Sequence, residues 1–169
     1  GGSNGKGALF SLLAKAMGDY LKEGKLSIIT QSRTKTGSAE PEVAMLQFAH
    51  LVVFQEPSKG DQINTGVMKQ YSGGEDTITA RTLFKEPVTF IPRFTMAVCT
   101  NHLPEIKSDD GGTWRRMRVV EFESKFVSEG DTVSKNESKH VFKKDESLSQ
   151  QFEEWAPYLM SFLVRKAWE

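Results

Sequence analysis

The feature that most constrains the fold is a glycine-rich run directly before an amphipathic segment. Residues 1–7 read Gly-Gly-Ser-Asn-Gly-Lys-Gly. Glycines let backbone N–H groups curl around an anion, and a helix that follows directs its positive end towards it. The pattern predicts a phosphate-binding loop in which Lys6 reaches the outer phosphates. The predicted loop comprises Gly2, Ser3, Asn4, Gly5, Lys6, Gly7 and Ala8.

The segment after the loop predicts a helix, because its apolar residues recur at spacings of three and four. These residues are Leu9, Leu12, Leu13, Ala16, Met17 and Leu21, with Gly24 as the stop. Residues 26–30 then predict a short strand. The loop itself departs from the pattern Gly-x-x-x-x-Gly-Lys-Ser/Thr, because Gly7 takes the place of the hydroxyl that helps to hold Mg²⁺. The first glycine of the pattern, and the strand expected before it, would precede Gly1. A plain glycine-rich turn is the alternative interpretation of this motif alone.

Two apolar runs end in polar side chains. Leu51–Phe54 predicts a buried strand, and Gln55 and Glu56 follow it. A carboxylate in that position can lie beside the metal ion and the attacking water of a phosphate-hydrolysing enzyme. Phe94–Thr100 predicts a second strand, after which Asn101 can bond the same water. Taken alone, each feature also fits a solvated strand end or a turn.

Basic residues occur at two further places. Arg115 and Arg116 lie at the start of a β-rich run, and residues 116–122 predict a strand. In a ring of subunits, an arginine supplied to the neighbour's nucleotide stabilises transition-state charge, whereas the plain alternative is a solvated basic edge. Residues 77–83 and 88–91 predict a hairpin with Lys85 at its tip.

The composition is that of a globular α/β protein, with 38% hydrophobic and 26% charged residues. No apolar run reaches the ~18 residues that span a bilayer. The formal net charge is zero, so any contact with nucleic acid needs a local basic patch. The single cysteine, Cys99, excludes an internal disulfide and indicates a reducing compartment. Residues 148–169 predict a helical tail that Pro157 kinks or divides.

In this order and at these distances, the motifs resemble the superfamily 3 helicases, in particular the primase-helicases of poxvirus-like large DNA viruses and some phages. The resemblance rests on the stretches GGSNGKGALFSLLAKAMGD, LVVFQEPSKGDQINTGVMKQYSGGEDTITARTLFKEPVTFIPRFTMAVCTN, LPEI and DDGGTWRRMRVVEF. It implies a P-loop NTPase (AAA+-like) α/β parallel-sheet sandwich that lacks its first strand and carries a β-hairpin insertion and a helical C-terminal tail. The implied divisions are an ATPase core, 1–123, a flexible polar insert, 124–147, and the start of a C-terminal helical region, 148–169.

The resemblance implies an ATP-dependent DNA helicase of viral or phage-type replication, with ATP and Mg²⁺ as cofactors. Lys6 resembles the phosphate-binding lysine, Glu56 the catalytic and metal-binding carboxylate, and Asn101 the sensor of the γ-phosphate. Arg116 resembles the arginine that acts on the neighbouring subunit, with Arg115 as the alternative.

The implied assembly is a homo-hexameric ring around single-stranded DNA. Lys85 resembles the tip of a hairpin that grips DNA in the pore, with Arg81 and Arg93 near it. The resemblance further implies a primase domain upstream in the same full-length chain and no membrane partner. The sequence carries no targeting information, so the location stays unknown beyond an intracellular one, of which viral replication sites in the host cell are an example.

Two other functions stay open. Gly7 and Gln55 each replace a residue that would place oxygen atoms near the metal, which favours a nucleotide-binding ring scaffold with weak or no hydrolysis. A P-loop phosphotransferase for a small molecule would share the loop but act as a monomer or dimer without a response to DNA. The arginine pair at 115–116 and the Thr-Ala-Arg at 79–81 count against the phosphotransferase.

Overall fold

The computed structural model describes most of the chain and divides it into two compact units. The described residues are 3–32, 38–55, 61–104, 106, 111–128, 130 and 140–169. One unit comprises residues 1–19 with 119–169, and the other comprises residues 20–118. In the described ranges, no helix is long and apolar enough to cross a membrane.

The secondary structure is mixed. The helices are α1 Lys6–Met17, α2 Ser27–Thr30, α3 Pro41–Ala44, α4 Thr65–Ser72, α5 Gly111–Trp114 and α6 Phe152–Trp168. The strands are β1 Leu21–Gly24, β2 Leu51–Gln55, β3 Ile78–Ala80, β4 Val88–Phe90, β5 Thr95–Cys99, β6 Ser124–Val127 and β7 His140–Lys143. Two 3₁₀ turns occupy Gly18–Tyr20 and Leu148–Gln151.

The unit of residues 20–118 is built on a parallel sheet with the strand order β1-β2-β5. Three consecutive residues of the central strand β2, Val52, Val53 and Phe54, are almost fully buried. Because successive side chains of a strand point to opposite faces, both faces of the sheet are covered here. This confirms the prediction of an α/β protein with buried parallel strands. The core cluster around the sheet includes Ile28, Ile29, Val43, Leu46, Ala49, Val67, Tyr71, Ile78, Ala80 and Phe94.

The predicted hairpin is present in the same unit. Strands β3 and β4 pair antiparallel, and the hydroxyl oxygens of Thr79 and Thr89 lie 2.9 Å apart across the pair. The connection contains a β-turn in which the Lys85 N–H donates to the Thr82 carbonyl at 3.3 Å. At the end of β3 that leads into the turn, the Glu40 N–H donates to the Arg81 carbonyl at 2.8 Å.

In the other unit, α1 packs against α6, and Lys15 forms an ion pair with Glu153. The buried residues of α6 are Phe152 and Ala156. The predicted helical tail is therefore present, but the division at Pro157 is wrong, because α6 runs through this residue to Trp168. Proline there removes one backbone donor, and the packed helix tolerates that loss. The segment predicted as a flexible insert contains the parallel pair β6–β7.

Two local predictions fail around the first helix. The helix ends at Met17, because Gly18 takes a φ of +54° and its N–H bonds the Ala14 carbonyl. Leu21, which matched the helical spacing, instead pairs with Leu51 in the parallel sheet. Residues 26–30 were predicted as a strand, but Ser27–Thr30 form the short helix α2, with Leu26 as its N-cap.

The strand predicted over residues 116–122 is also wrong. The described residues 117–122 form no strand, and Val119 and Val120 are 61% and 75% exposed. A strand needs a neighbour that takes its backbone hydrogen bonds, and β-rich composition alone does not provide one.

Gly24 provides a test of the sheet. A Cβ at Gly24 would lie 2.4 Å from Cε1 of Phe54, so the β1–β2 contact requires a residue without a side chain. Gly24→Ala is expected to lower the free energy of unfolding by about 1–3 kcal/mol through overpacking, measured by urea denaturation. The control is Gly111→Ala, where nothing lies within 4 Å of the added Cβ. Equal unfolding midpoints for the two variants would contradict this account.

Candidate functional site

The glycine-rich loop ends in a helix terminus suited to an anion. Gly5 is the N-cap of α1 and adopts the left-handed region, with φ +87°, and it has no side chain that could cap the helix. Lys6 is the first helical residue, and the first turn carries no acidic side chain. The amide groups of a first turn have no partner within the helix, and the helix dipole favours negative charge beside them. These features fit an anion such as a phosphate group, as the sequence predicts.

The loop conformation is held by β6. The Phe126 N–H donates to the Ser3 carbonyl at 2.7 Å, and a Cβ at Gly5 would lie 3.3 Å from Cε2 of Phe126. Ser3 also has a positive φ, +60°. A Cβ at Gly7, by contrast, would meet nothing within 4 Å. Gly2 lies outside the described residues. Gly5 is thus restricted by both its backbone and its surroundings, whereas Gly7 is not.

The ends of two neighbouring strands define one edge of the larger sheet. Gln55, the last residue of β2, is paired with Cys99, the last residue of β5. Asn101 follows two residues later and is exposed. It lies within a short turn in which the His102 N–H donates to the Thr100 hydroxyl at 3.0 Å.

The predicted metal-binding carboxylate is that of Glu56. Glu56 comes immediately after β2 but lies outside the described residues. Among the residues that are described, no group of three or more His, Cys, Asp or Glu side chains could hold a metal ion. The roles of Glu56 and of Mg²⁺ therefore stay predictions.

The two candidate arginines follow α5 and are exposed. The turn that carries them is anchored by Thr113, which is fully buried and whose carbonyl accepts the Arg116 N–H at 3.1 Å. The Arg116 guanidinium donates through Nη1 to the Gly112 carbonyl at 2.7 Å. It also lines an open polar depression of about 500 Å³ at the end of α4. The other lining residues are Gly66, Lys69, Gln70, Gly73, Glu75 and Asp76.

The two candidate arginines differ in their surroundings, because Arg116 lines this depression and Arg115 does not. Arg116 also ends a turn after α5, where the sequence had predicted the start of a strand. Lys69, which shares the depression, was not singled out from the sequence. The signal was the stretch Lys-Gln-Tyr-Ser-Gly-Gly over residues 69–74, which ends α4 beside it.

The hairpin carries the third set of predicted residues. Lys85 lies in the turn, Arg81 directly follows β3, and Arg93 follows β4; all three are exposed. Between residues 78 and 94, Glu86 is the single carboxylate in the sequence. The hairpin is therefore a local basic feature on a chain whose formal net charge is zero.

The predicted site residues are divided between the two compact units. The loop with Lys6 belongs to the unit of residues 1–19 and 119–169, whereas Asn101, Arg116 and the hairpin belong to residues 20–118. Within the latter unit, the ends of β2 and β5 meet at one edge. The combination of Lys6, Glu56 and Asn101 in one nucleotide site stays a prediction.

Fold and loop together define a mixed α/β protein with a parallel sheet and a helix terminus suited to phosphate. A family model described as "Family of unknown function (DUF5906)" matches residues 1–116. The match covers more than half of the chain, and the chain belongs to this family.

Similar curated proteins come from large DNA viruses. The Acanthamoeba polyphaga mimivirus protein "Putative helicase L207/L206" is 42% identical over 97% of this chain and 17% of its own length. "Putative helicase 022R" of Frog virus 3 is 34% identical over 96% of this chain and 17% of its own length. "Putative primase C962R" of African swine fever virus, isolate Tick/Malawi, is 31% identical over 82% of this chain and 14% of its own length. The chain thus spans less than a fifth of these relatives.

A solved structure shares the fold. The structure titled "The A form apo structure of NrS-1 C terminal region-CTR" aligns with 96% of this chain and 34% of its own, with a TM-score of 0.57 and 12% identity. At this identity, the likeness extends to the fold alone.

The contrast between Gly5 and Gly7 gives a test of the loop. Gly5→Ala is expected to lower the free energy of unfolding by about 1–2 kcal/mol, because alanine is strained at a left-handed φ and its Cβ would press against Phe126. It should also weaken binding of a fluorescent ATP analogue in a titration. Gly7→Ala is the control and should keep or slightly raise stability, because its Cβ enters open space on a helix. Two variants with the same loss of stability would rule out a special conformation at Gly5.

Proposed function

We propose that this chain is the ATP-hydrolysing part of a DNA helicase of the superfamily 3 type, which acts in the replication of a large DNA virus. The observation that carries the proposal is the helix terminus of α1, where Gly5 is held in the left-handed region directly before Lys6. The helicase and primase names of the viral relatives support it.

In this proposal the loop binds the phosphates of ATP. The first-turn amides of α1 donate to phosphate oxygens, and Lys6 neutralises the outer phosphates. Bound Mg²⁺ would supply charge neutralisation between the phosphates. Glu56 orients the attacking water, and Asn101, which follows β5 at the edge where β2 also ends, bonds that water or the γ-phosphate.

The site is completed by a second copy of the chain. Arg116 is exposed, and its guanidinium is oriented by the Gly112 carbonyl, so it is available to a neighbouring molecule. An arginine supplied in this way stabilises charge in the transition state. Head-to-tail contacts between identical subunits close into a ring if the rotation permits, and a hexamer is the assembly that we propose. The hairpin with Lys85, Arg81 and Arg93 would then bind the backbone of single-stranded DNA in the pore.

The inter-subunit role of Arg116 can be tested by mixing variants of the full-length polypeptide. Lys6→Ala should abolish ATP turnover, and Arg116→Ala should lower it roughly a thousandfold or more while ATP binding persists. A mixture of the two should recover part of the activity, because some interfaces then combine an intact Lys6 with an intact Arg116. The measurement is phosphate release across a range of mixing ratios.

Two further variants serve as controls for that experiment. Arg115→Ala, next in sequence but outside the depression, should retain more activity than Arg116→Ala. Arg165→Ala, an exposed residue near the end of α6, should match the wild type. Recovery in mixtures with Arg115→Ala and none with Arg116→Ala would assign the role to Arg115. No recovery in any mixture would contradict a site shared between subunits.

The DNA contact at Lys85 has its own test. Lys85→Ala should remove the stimulation of ATP hydrolysis by single-stranded DNA and leave basal hydrolysis intact, because the residue lies far in sequence from the nucleotide loop and forms a hairpin turn. Hydrolysis rates with and without oligothymidylate give the measurement. An equal fall in both rates would argue against a DNA-binding hairpin.

A nucleotide-binding ring scaffold is the second candidate, and Gly7 is the observation that favours it. Magnesium keeps several waters in protein sites, so a missing hydroxyl can be tolerated, but it removes one ligand. The space around Gly7 admits a side chain, so Gly7→Ser restores the hydroxyl without a clash. If the protein is a scaffold, the wild type should bind ATP without turnover. If it is a helicase, the wild type should hydrolyse ATP, and single-stranded DNA should change the rate of hydrolysis.

A further inference from the structure

We infer that Phe84, at the tip of the hairpin, is a base-stacking residue that contacts single-stranded DNA beside Lys85. The inference rests on the proposed function and adds to it a residue and a mode of contact. Contact through Lys85 alone would read only the phosphate backbone, whereas an aromatic ring at the same tip also binds the faces of the bases.

The first argument is the exposure of Phe84. Its relative exposure is 103%, the highest among the exposed large hydrophobic side chains of the described residues. A phenylalanine normally contributes to the free energy of folding through the area that it removes from water. Phe84 removes none, so the fold does not account for an aromatic residue at this position. Leu83 beside it is also exposed, at 66%.

The second argument is the backbone. Phe84 is the third residue of the turn closed by the Lys85 N–H and the Thr82 carbonyl, and its φ is +59°. Turns with a positive φ at this position favour glycine or asparagine, and a bulky side chain there is strained by about 1–3 kcal/mol. The turn therefore carries phenylalanine at a cost in stability, without burial in return.

The third argument is charge. Lys85 directly follows Phe84 and is exposed, and Glu86 is the single carboxylate between residues 78 and 94 of the sequence. A cation next to an exposed aromatic ring matches a single strand of nucleic acid, which presents phosphates along its backbone and flat apolar faces on its bases. An apolar protein surface would match the ring but not the Lys85 ammonium that follows it in the chain.

Phe48 provides a comparison that distinguishes the effect of exposure from the effect of the basic surroundings. It is 77% exposed and has a φ of +66°, so it shares both features of Phe84. No Lys or Arg lies between residues 38 and 52, where the charged residues are Glu40 and Glu42. Phe48 is therefore a matched control for an exposed, left-handed phenylalanine without the basic surroundings that favour DNA.

The experiment measures binding of the full-length polypeptide to two fluorescent strands of equal length, oligothymidylate and its abasic counterpart, over a series of salt concentrations. The wild type should bind oligothymidylate at least about fivefold more tightly than the abasic strand. Phe84→Ala should remove this preference, and Phe84→Trp should keep it. The dependence of affinity on salt should be unchanged in both variants, because no phosphate contact is lost.

Two other variants should behave differently. Lys85→Ala should keep the preference for bases and show a salt dependence that is weaker by about one phosphate contact per site. Phe48→Ala should match the wild type in both measurements. If Phe84→Ala keeps the preference for bases, the inference is overturned. Loss of oligomeric assembly in Phe84→Ala, with base preference retained in the remaining assemblies, would identify the ring as a contact between proteins and would overturn it as well.

The proposed function can fail separately from this inference. Equal binding of both strands by the wild type would overturn base stacking and leave a DNA-binding helicase intact. Binding of neither strand by the wild type would overturn the helicase proposal together with the inference.

A stability measurement distinguishes a DNA-binding role of the Phe84 ring from a structural one. Phe84→Gly should lose the base preference as Phe84→Ala does, but its unfolding midpoint should equal or exceed that of the wild type, because glycine adopts φ +59° without strain. A lower midpoint for Phe84→Gly would show that the ring stabilises the fold and would contradict its assignment to DNA.

Discussion

The pairing of β2 with β1 on one side and β5 on the other is the constraint on which the larger unit depends. Parallel strands place their carboxyl ends at the same edge, so Gln55 and Cys99, the last residues of β2 and β5, lie side by side there. Ligands of open parallel sheets bind outside these ends. Close pairing with β1 in turn requires Gly24, because the ring of Phe54 occupies the space that a Cβ would need. The end of β5, which Asn101 follows, thus depends on packing two strands away.

The sequence predicted the elements whose signals are local. Leu51–Phe54 is a short apolar run buried on both faces, and its place as a strand follows from its composition. Leu21 is different, since its spacing fits a helix and only the pairing with Leu51 makes it part of a strand. Residues 116–122 show the reverse, because their β-rich composition finds no pairing strand among the described residues. The spacing of apolar residues and the β-propensity are properties of a single segment, whereas a strand forms only when a second segment pairs with it.

The candidate site shows the same limit. The conformation of the loop at Gly5 could be predicted because the requirement for a left-handed residue before a helix is local. The surroundings of Arg116 could not, since they arise where the end of α4, with Lys69, Glu75 and Asp76, lies beside the turn after α5. Arg116 lies 40 or more positions after each of these residues in the chain. Sequence therefore indicated which residues carry charge, and tertiary structure was needed to show which charges share a depression.

A neutral chain can bind a polyanion only where its charges are unevenly placed. With 22 cationic and 22 acidic side chains, the molecule as a whole exerts little long-range attraction on DNA. Contact must then be short-ranged, and it benefits from interactions that salt does not screen, such as stacking of an aromatic ring on a base. A hairpin that combines three cations with an exposed Phe84 meets both requirements. In a ring, the hairpin would be repeated in every subunit, so a strand already enclosed would meet a high local concentration of such contacts. In the proposed ring, a modest contact per subunit would then be sufficient, and weak individual contacts would also let the strand move.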